Sequence, residues 1–265
     1  MIYREYPSHP ALRAYVACMW TACVSAPVSA QAPHVHRVLP DNCVDILWQD
    51  DGRQAYAVGM MSASFVVPAA RPVRTVAVRF RPGAAGLFLG MPLHPLTDAR
   101  AELAELWGRA AADRLQDALW ERERTDRQRI ALVQEALLQR LHQRQQRRQQ
   151  LQRRPDVEQG WPAASLGLRA VAAIEAAHGA VPVETLASAL QVSRQHLALQ
   201  FRQQVGITPK LFARICRFRR ALALLRDPAR GSDLAALAAD CGYFDQSHLI
   251  RDFHHFADEA PGNML

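Results

Sequence analysis

The chain has 265 residues, of which 49% are hydrophobic and 22% are charged, and its formal net charge is +7. This size and composition allow one large domain or two ordinary ones, and they exclude a disordered tail, a collagen-like chain and a small disulfide scaffold. No apolar run approaches the roughly 18 residues of a membrane-spanning helix, no secretory pattern opens the chain, and the cysteines are scattered. We therefore expect a cytoplasmic protein with no membrane partner.

The positive charge is concentrated in one segment. Residues 136–162 contain six basic and two acidic side chains, and the arginines lie among many glutamines. Such a run can be an arm that binds nucleic acid, because clustered arginines release counterions from the phosphate backbone. It is more often a solvated helix end followed by a linker, which is the interpretation we favour.

Short strands are predicted from the N-terminus to about Pro82. Apolar and polar residues alternate over 44–48 and 76–80. Two further β-type runs, at 56–58 and 65–67, are bounded by Gly and Pro. These runs predict a β-rich sensor domain over 1–96.

Helical periodicity then replaces the alternation. Thr97 or Asp98 is predicted to cap a helix that ends at Gly108, and a second helix follows. A third, long helix carries one apolar stripe made of Ile130, Val133, Leu137, Leu138 and Leu141. The stripe fits either an intramolecular core or a dimer seam. We predict a helical extension over 97–142, which is a candidate dimerisation element, and a linker over 143–162.

Helices dominate from residue 163 onward, and the first recognisable unit there has the spacing of a helix-turn-helix. Apolar residues bury a short helix against a second helix, which Ser193 is predicted to cap. The spacing is carried by Leu186, Ala187, Leu190, Val192, Leu197 and Phe201.

The same pattern occurs a second time. Leu186 and Ala187 correspond to Leu237 and Ala238 at an offset of 51 residues. Four later pairs have an offset of 52, namely Ser193 with Asp245, Leu197 with Leu249, Phe201 with Phe253 and Pro209 with Pro261. The extra residue falls in the turn 241–244, where Gly can supply a positive φ. The sequence therefore predicts an internal repeat of two units.

A spacer helix is predicted between the units, from Pro209 to about Leu225. Thr208 is a good N-cap, and Pro209 suits the first helical position. At ~1.5 Å per residue such a helix is roughly 25 Å long. That length can place two recognition helices about one DNA turn apart, roughly 34 Å, in successive major grooves.

These residues carry a family resemblance. The phrases VSRQHLALQFRQQVGITPKLFARICRFRRAL and LAALAADCGYFDQSHLIRDFHHFADEAP resemble the DNA-binding domain of the AraC/XylS family of bacterial transcription regulators. The phrases HRVLPDNCVDILW, VAVRFRPGAAGLFLG and LTDARAELAELWG resemble an uncharacterised sensor-like domain of some of these regulators.

The resemblance implies an α+β protein. A mostly β N-terminal domain with a helical extension would precede an all-α AraC-type DNA-binding domain over 163–265. Promoter DNA and RNA polymerase are the partners that the family implies. A small-molecule effector and a homodimer are further expectations.

Base edges are read by forked donors and acceptors such as those of Arg and Gln. On the first recognition helix we predict that Gln195 reads bases, that Arg194 contacts bases or phosphate, and that Arg202 contacts phosphate. The family usually has longer polar side chains where this chain has Ala198 and Leu199, which can contact thymine methyl groups instead.

On the second recognition helix the predicted outward residues are Gln246, Ser247, His248 and Arg251. Arg251 and Gln246 are the best candidates for reading bases. Each of these residues can also be a solvated surface group, since most protein–DNA hydrogen bonds go to phosphate and sugar.

A metal or thiol sensor is the weaker interpretation of the N-terminal segment. His34, His36 and Cys43, with Cys18 and Cys23 upstream, supply the ligand types, but they lack the close pairs of a zinc site. No catalytic arrangement and no phosphate-binding loop follows from the spacing. We expect no enzyme activity, no cofactor and no metal.

Three hypotheses follow. The first is a sequence-specific transcription regulator that a small molecule or partner modulates at the N-terminal domain. The second is a protein-interaction adaptor that keeps the fold without independent DNA specificity, which Ala198 and Leu199 would suit. The third is a metal or thiol sensor, or an enzyme fused to a DNA-binding module.

Overall fold

The computed structural model describes residues 2–24, 34–69, 72–152, 165–227 and 233–264. The fold is α+β, with a β-rich N-terminal region and a helical C-terminal region, as the sequence predicts. The strands are β1 (Ile2–Tyr6), β2 (Val16–Val24), β3 (His34–Val38), β4 (Val44–Gln49), β5 (Tyr56–Val58), β6 (Phe65–Ala69), β7 (Val73–Phe80) and β8 (Arg100–Glu102). The helices are α1 (Ala85–Leu89), α2 (Leu103–Trp107), α3 (Arg109–Trp120), α4 (Asp126–Gln152), α5 (Leu166–Ala176), α6 (Val183–Ala189), α7 (Arg194–Val205), α8 (Pro209–Leu225), α9 (Leu234–Asp240) and α10 (Gln246–Ala257).

The N-terminal region is built on a six-stranded antiparallel sheet with the strand order β1-β2-β7-β4-β5-β8, and β3 and β6 form a separate pair. Ile46 of β4 is opposite Ala57 on one side and Val78 on the other. All three are fully buried. The alternation in the sequence therefore marks the core face of these strands.

The sheet extends beyond residue 96, where a helix was expected. The predicted caps Thr97 and Asp98 do not begin a helix, because Asp98 has a left-handed φ of 54° and its carboxylate accepts hydrogen bonds from Ser62 instead. The next residues form β8, which pairs with β5, and α2 begins only at Leu103. The predicted helix start is wrong, whereas its end at Gly108 is confirmed.

The apolar stripe of α4 is part of the core. Ile130, Val133, Leu137 and Leu141 are each at most 6% exposed, and they belong to the same buried cluster as the sheet. The stripe is therefore part of an intramolecular core, which is one of its two predicted interpretations. The helix continues to Gln152, well into the predicted linker, and 153–164 lie outside the described residues.

The basic run begins as a structural element. The Arg140 guanidinium donates to the carbonyls of Phe88 (3.4 Å) and Trp107 (3.2 Å) and lies 4.1 Å from the centre of the Trp107 ring. Burial lowers the pKa of Arg140 to about 10. Arg140 thus anchors α4 to the N-terminal core and is not free to contact nucleic acid.

The caps of the C-terminal helices confirm their predicted boundaries. The Ser193 hydroxyl accepts from the backbone of α7 at 3.2 Å, the Asp245 carboxylate from that of α10 at 2.6 Å, and the Thr208 hydroxyl from that of α8 at 3.2 Å. The spacer helix α8 runs from Pro209 to Leu225, as predicted. Each cap satisfies a backbone N–H that has no partner within its helix.

Both recognition helices pack on α8 through one pair of aromatic rings each. Phe201 of α7 meets Phe212 edge-on at 5.5 Å, and Phe253 of α10 meets Phe218 edge-on at 5.1 Å. All four rings are fully buried. The repeat in the sequence thus becomes two equivalent anchors, six residues apart on one helix.

The N-terminal region contacts the carboxyl end of the first recognition helix. The backbone N–H of Leu93 donates to the carbonyl of Gln203, in the last turn of α7, at 2.9 Å. The Thr97 hydroxyl donates to the carbonyl of Gly206, which ends that helix, at 2.8 Å.

It also contacts the carboxyl end of the second recognition helix. Arg37 donates to the carbonyl of Ala257, the last residue of α10, and its guanidinium lies 3.7 Å from the Asp258 carboxylate. A cation at a helix C-terminus is favourable because it opposes the helix dipole. Between the two ends, Asn42 Nδ2 donates to the carbonyl of Phe212 on α8 at 3.1 Å. The N-terminal region therefore contacts both units and their spacer.

Candidate nucleic-acid interface

The two helix-turn-helix units differ at one residue of the turn. Gln191 and Gly242 occupy equivalent positions with positive φ values of 58° and 74°. The next residue in each unit, Val192 or Tyr243, donates its backbone N–H to the carbonyl five residues earlier, at 3.1 and 2.9 Å. The offset between equivalent residues of the two units is thus 51 from Val192 to Tyr243, and it becomes 52 from the cap Ser193 to the cap Asp245. The additional residue of the second unit is therefore Phe244.

The described residues leave the side chain of Phe244 in solvent. It is 93% exposed, whereas Tyr243 before it is 6% exposed. The sequence limits the insertion to 241–244 and does not identify the inserted residue, because the correspondence of Val192 with Tyr243 depends on the backbone hydrogen bonds.

On the first recognition helix the predicted contact residues are exposed. Gln195 and Arg194 lie in the first turn of α7, and Arg202 lies in the last turn. The Arg194 guanidinium is 2.8 Å from the carboxylate of Glu184, with both side chains mostly exposed, so solvent screens this pair. Leu199 is 55% exposed and Ala198 is half-buried.

On the second recognition helix Gln246, Ser247 and Arg251 are exposed. The Arg251 Nε donates to the Ser247 carbonyl at 3.3 Å, so this side chain lies back along α10 toward its N-terminus. His248 is half-buried, and its ring meets that of Tyr243 edge-on at 5.2 Å. His248 thus supports the turn, and the other three side chains are the accessible ones.

A buried ion pair fixes α10 on the spacer helix. The Asp252 side chain is 2% exposed, and its Oδ1 accepts from Arg214 Nε at 3.1 Å and from Nη2 at 2.7 Å. The same guanidinium lies 5.0 Å from the centre of the Phe256 ring. This pair is not among the contacts predicted from the sequence. The sequence feature that could have indicated it is an acidic residue, Asp252, on the face of α10 that also carries the buried aromatic residues.

The thiol and metal candidates do not form a site in the described part of the chain. No group of three potential ligands comes together there, and the side chains of His34 and His36 lie outside the described residues. Burial raises the pKa of Cys18 to about 11 and holds that of Cys43 well above its usual range. Both thiols are therefore protonated near neutral pH, and a protonated thiol is a poor nucleophile and ligand. None of the described helices is long and apolar enough to cross a membrane.

Two family models match the chain. Residues 4–102 match one described as a domain of unknown function, DUF6597, and residues 186–265 match one described as a helix-turn-helix domain. The C-terminal region is an AraC-type helix-turn-helix domain. This AraC-type domain, whose two recognition helices have exposed first turns, makes the chain a DNA-binding transcription regulator with DNA as its partner. The resemblance seen in the sequence is thereby confirmed at both ends of the chain.

Several solved structures resemble the chain or its AraC-type domain. ToxT from Vibrio cholerae is 10% identical, with 93% of this chain and 98% of that chain covered and a TM-score of 0.44. The C-terminal domain of AraT, a response regulator from Geobacillus stearothermophilus, is 22% identical, with 37% and 82% covered and a TM-score of 0.35. A DNA-binding transcriptional dual regulator from Escherichia coli K-12 is 24% identical, with 39% and 95% covered and a TM-score of 0.33. No curated protein has a sequence that matches this chain.

Proposed function

We propose that the chain is a sequence-specific, cytoplasmic transcription regulator of the AraC/XylS type. It binds promoter DNA through the N-terminal turns of α7 and α10, and its N-terminal domain adjusts that binding in response to a small molecule or a partner. The observation that carries the proposal is the repeated unit. In both copies the buried face of the recognition helix is anchored on α8 by an aromatic pair, and the first turn is exposed.

The roles of the exposed side chains follow from their chemistry. Gln195 and Gln246 match the donor and acceptor of adenine in the major groove, and Arg251 matches the two acceptors of guanine. Arg194 and Arg202 are suited to phosphate, which fixes the register of the protein on the duplex. Ser247 can contact either a base or a phosphate.

Regulation requires two arrangements of the domains that an effector distinguishes, since a ligand shifts an equilibrium only by its difference in affinity for the two states. The contacts of the N-terminal region with the ends of α7 and α10 support this mechanism. Thr97 donates a hydrogen bond at the end of α7, Arg37 donates one at the end of α10, and Asn42 donates one to the spacer helix α8. An effector that moves these residues alters the relative position of the two recognition helices.

The test is a selection of binding sites from random duplex DNA with the full chain at two salt concentrations. We expect one site with two boxes about one helical turn apart, still enriched at the higher salt. Arg251→Ala and Gln246→Ala should each relax the preference at a few positions, by about 1–3 kcal/mol per lost base contact. Arg53→Ala, an exposed arginine of the N-terminal region, is the control and should leave the site unchanged. Enrichment of no site, with binding that disappears as salt rises, would instead favour the adaptor hypothesis.

A further inference from the structure

The inserted residue of the second unit lies between two residues with structural roles. Tyr243 is buried and Asp245 caps α10, so the backbone on both sides of Phe244 is fixed. The phenyl ring between them is 93% exposed. An aromatic side chain that the fold leaves this exposed does not stabilise the chain, since its apolar surface stays in water.

We propose that Phe244 is a DNA-contacting residue that packs on the C5-methyl group of a thymine in the major groove. This inference rests on the proposed function and adds a specificity determinant to it. The N-terminal residues of a recognition helix are those that reach base edges, and Phe244 directly precedes the cap of α10. The thymine methyl is the apolar group that base pairs present in that groove, and phenylalanine is among the side chains that contact it.

The contact is specific to the second unit. In the first unit the residue before the cap is Val192, which is half-buried and packs against the core. The first recognition helix therefore has no side chain at the position of Phe244. Of the two boxes in the DNA site, the box bound by α10 should depend on a thymine methyl at this position.

The test combines Phe244→Ala with single-atom changes in the DNA. In the selected site each thymine is replaced in turn by deoxyuridine, which removes the methyl group and keeps the base pair. We expect one replacement in the α10 box to weaken binding of the unchanged protein about fourfold, as for the loss of one buried methyl group. Phe244→Ala should bind the thymine site about tenfold more weakly and should be insensitive to that replacement. Phe65→Ala, which truncates a phenylalanine that is 41% exposed on β6, is the control and should behave as the unchanged protein.

Two results would overturn the inference and leave the proposed function in place. One is Phe244→Ala binding the site as tightly as the unchanged protein, which would assign the exposed ring to a protein partner instead. The other is a loss of affinity with the same deoxyuridine profile as the unchanged protein. In both cases the unchanged protein still selects a site, so the proposed function stands. If the unchanged protein selects no site, both the inference and the proposed function fail. Because the ring is exposed, Phe244→Ala should keep the melting temperature, which verifies that the variant is folded.

Discussion

Removal of the Asp252 carboxylate should loosen the second recognition helix from its support. In Asp252→Ala the Arg214 guanidinium loses the acceptor of two hydrogen bonds and remains with 27% of its side chain exposed. Breaking a buried ion pair on one side costs about 3–5 kcal/mol, because the remaining charge has no partner. Since Arg214 keeps some hydration, we place the loss of unfolding free energy at the lower end, about 3 kcal/mol.

The measurement is thermal and urea unfolding of the full chain, together with DNA affinity by fluorescence anisotropy. At roughly 2–4 °C per kcal/mol for a chain of this size, the melting temperature should fall by about 6–12 °C. Glu184→Ala is the matched control. It removes an ion pair with Arg194 in the same region, and both of those side chains are more than 60% exposed, so the melting temperature should not change.

Removal of both charges should restore stability. In the double variant Arg214→Met with Asp252→Leu both charges are gone, and apolar side chains of similar size fill the site beside Phe256, so most of the lost stability should return. A loss below about 1 kcal/mol for Asp252→Ala, or an equal loss for Glu184→Ala, would refute the argument that burial makes this pair important.

Three further predictions concern other parts of the chain. Gly179 and Gly52 have similar φ values of 80° and 78°, yet a Cβ at Gly179 would lie 2.1 Å from a backbone oxygen of α8, whereas nothing lies within 4 Å of one at Gly52. Gly179→Ala should therefore lower the urea midpoint more than Gly52→Ala, and equal effects would contradict the steric argument. Burial raises the pKa of Cys216 to about 12 and that of Cys43 well above its usual range. Both thiols should therefore react slowly with a thiol reagent at pH 7, and fast only after the chain is unfolded. Rapid labelling of these two cysteines in the folded chain would contradict this prediction. Burial raises the pKa of Asp45 to about 6, so between pH 4 and 6 the folded state holds a proton that the unfolded state has lost. The unfolding free energy should therefore fall as pH rises through this range, and it should fall less in Asp45→Asn. An equal dependence of the unfolding free energy on pH in the two proteins would contradict this prediction.

The sequence predicts best those elements whose signals are local. The spacer helix has its first-turn proline and its apolar periodicity within seventeen residues and its cap directly before them, and the structure has the predicted bounds. Strand β8 could not be predicted in this way, because its three residues have no pattern of their own. It exists because Ala101 is opposite Ala57 on β5, more than forty residues earlier. The hydrogen bond from Asn42 to Phe212 spans 170 residues, and no local pattern reveals such a contact.

The candidate site shows the same division. The sequence assigns the two units, their caps and the exposed first turns, since these follow from periodicity and capping chemistry. The partial burial of His248 and the identity of the inserted residue depend on how the turn folds, and a pattern of residue types does not contain that information. The roles of the exposed side chains at the interface are predictions that the selection of DNA sites tests.

Because both recognition helices are anchored on α8, the number of residues between the two anchors sets the rotation of one unit relative to the other. Phe212 and Phe218 are six residues apart, which is roughly 9 Å along the axis and about 240° around it. One residue inserted between them would turn the second unit by about 100° away from the groove that the first unit faces. Seven inserted residues would restore the direction to within about 20° and move the units apart by ~10 Å, close to three base pairs. The major groove itself turns by roughly 100° over three base pairs, so the second unit would again face away from its groove. We therefore expect the length of α8 to tolerate neither insertion without loss of binding to two boxes one DNA turn apart.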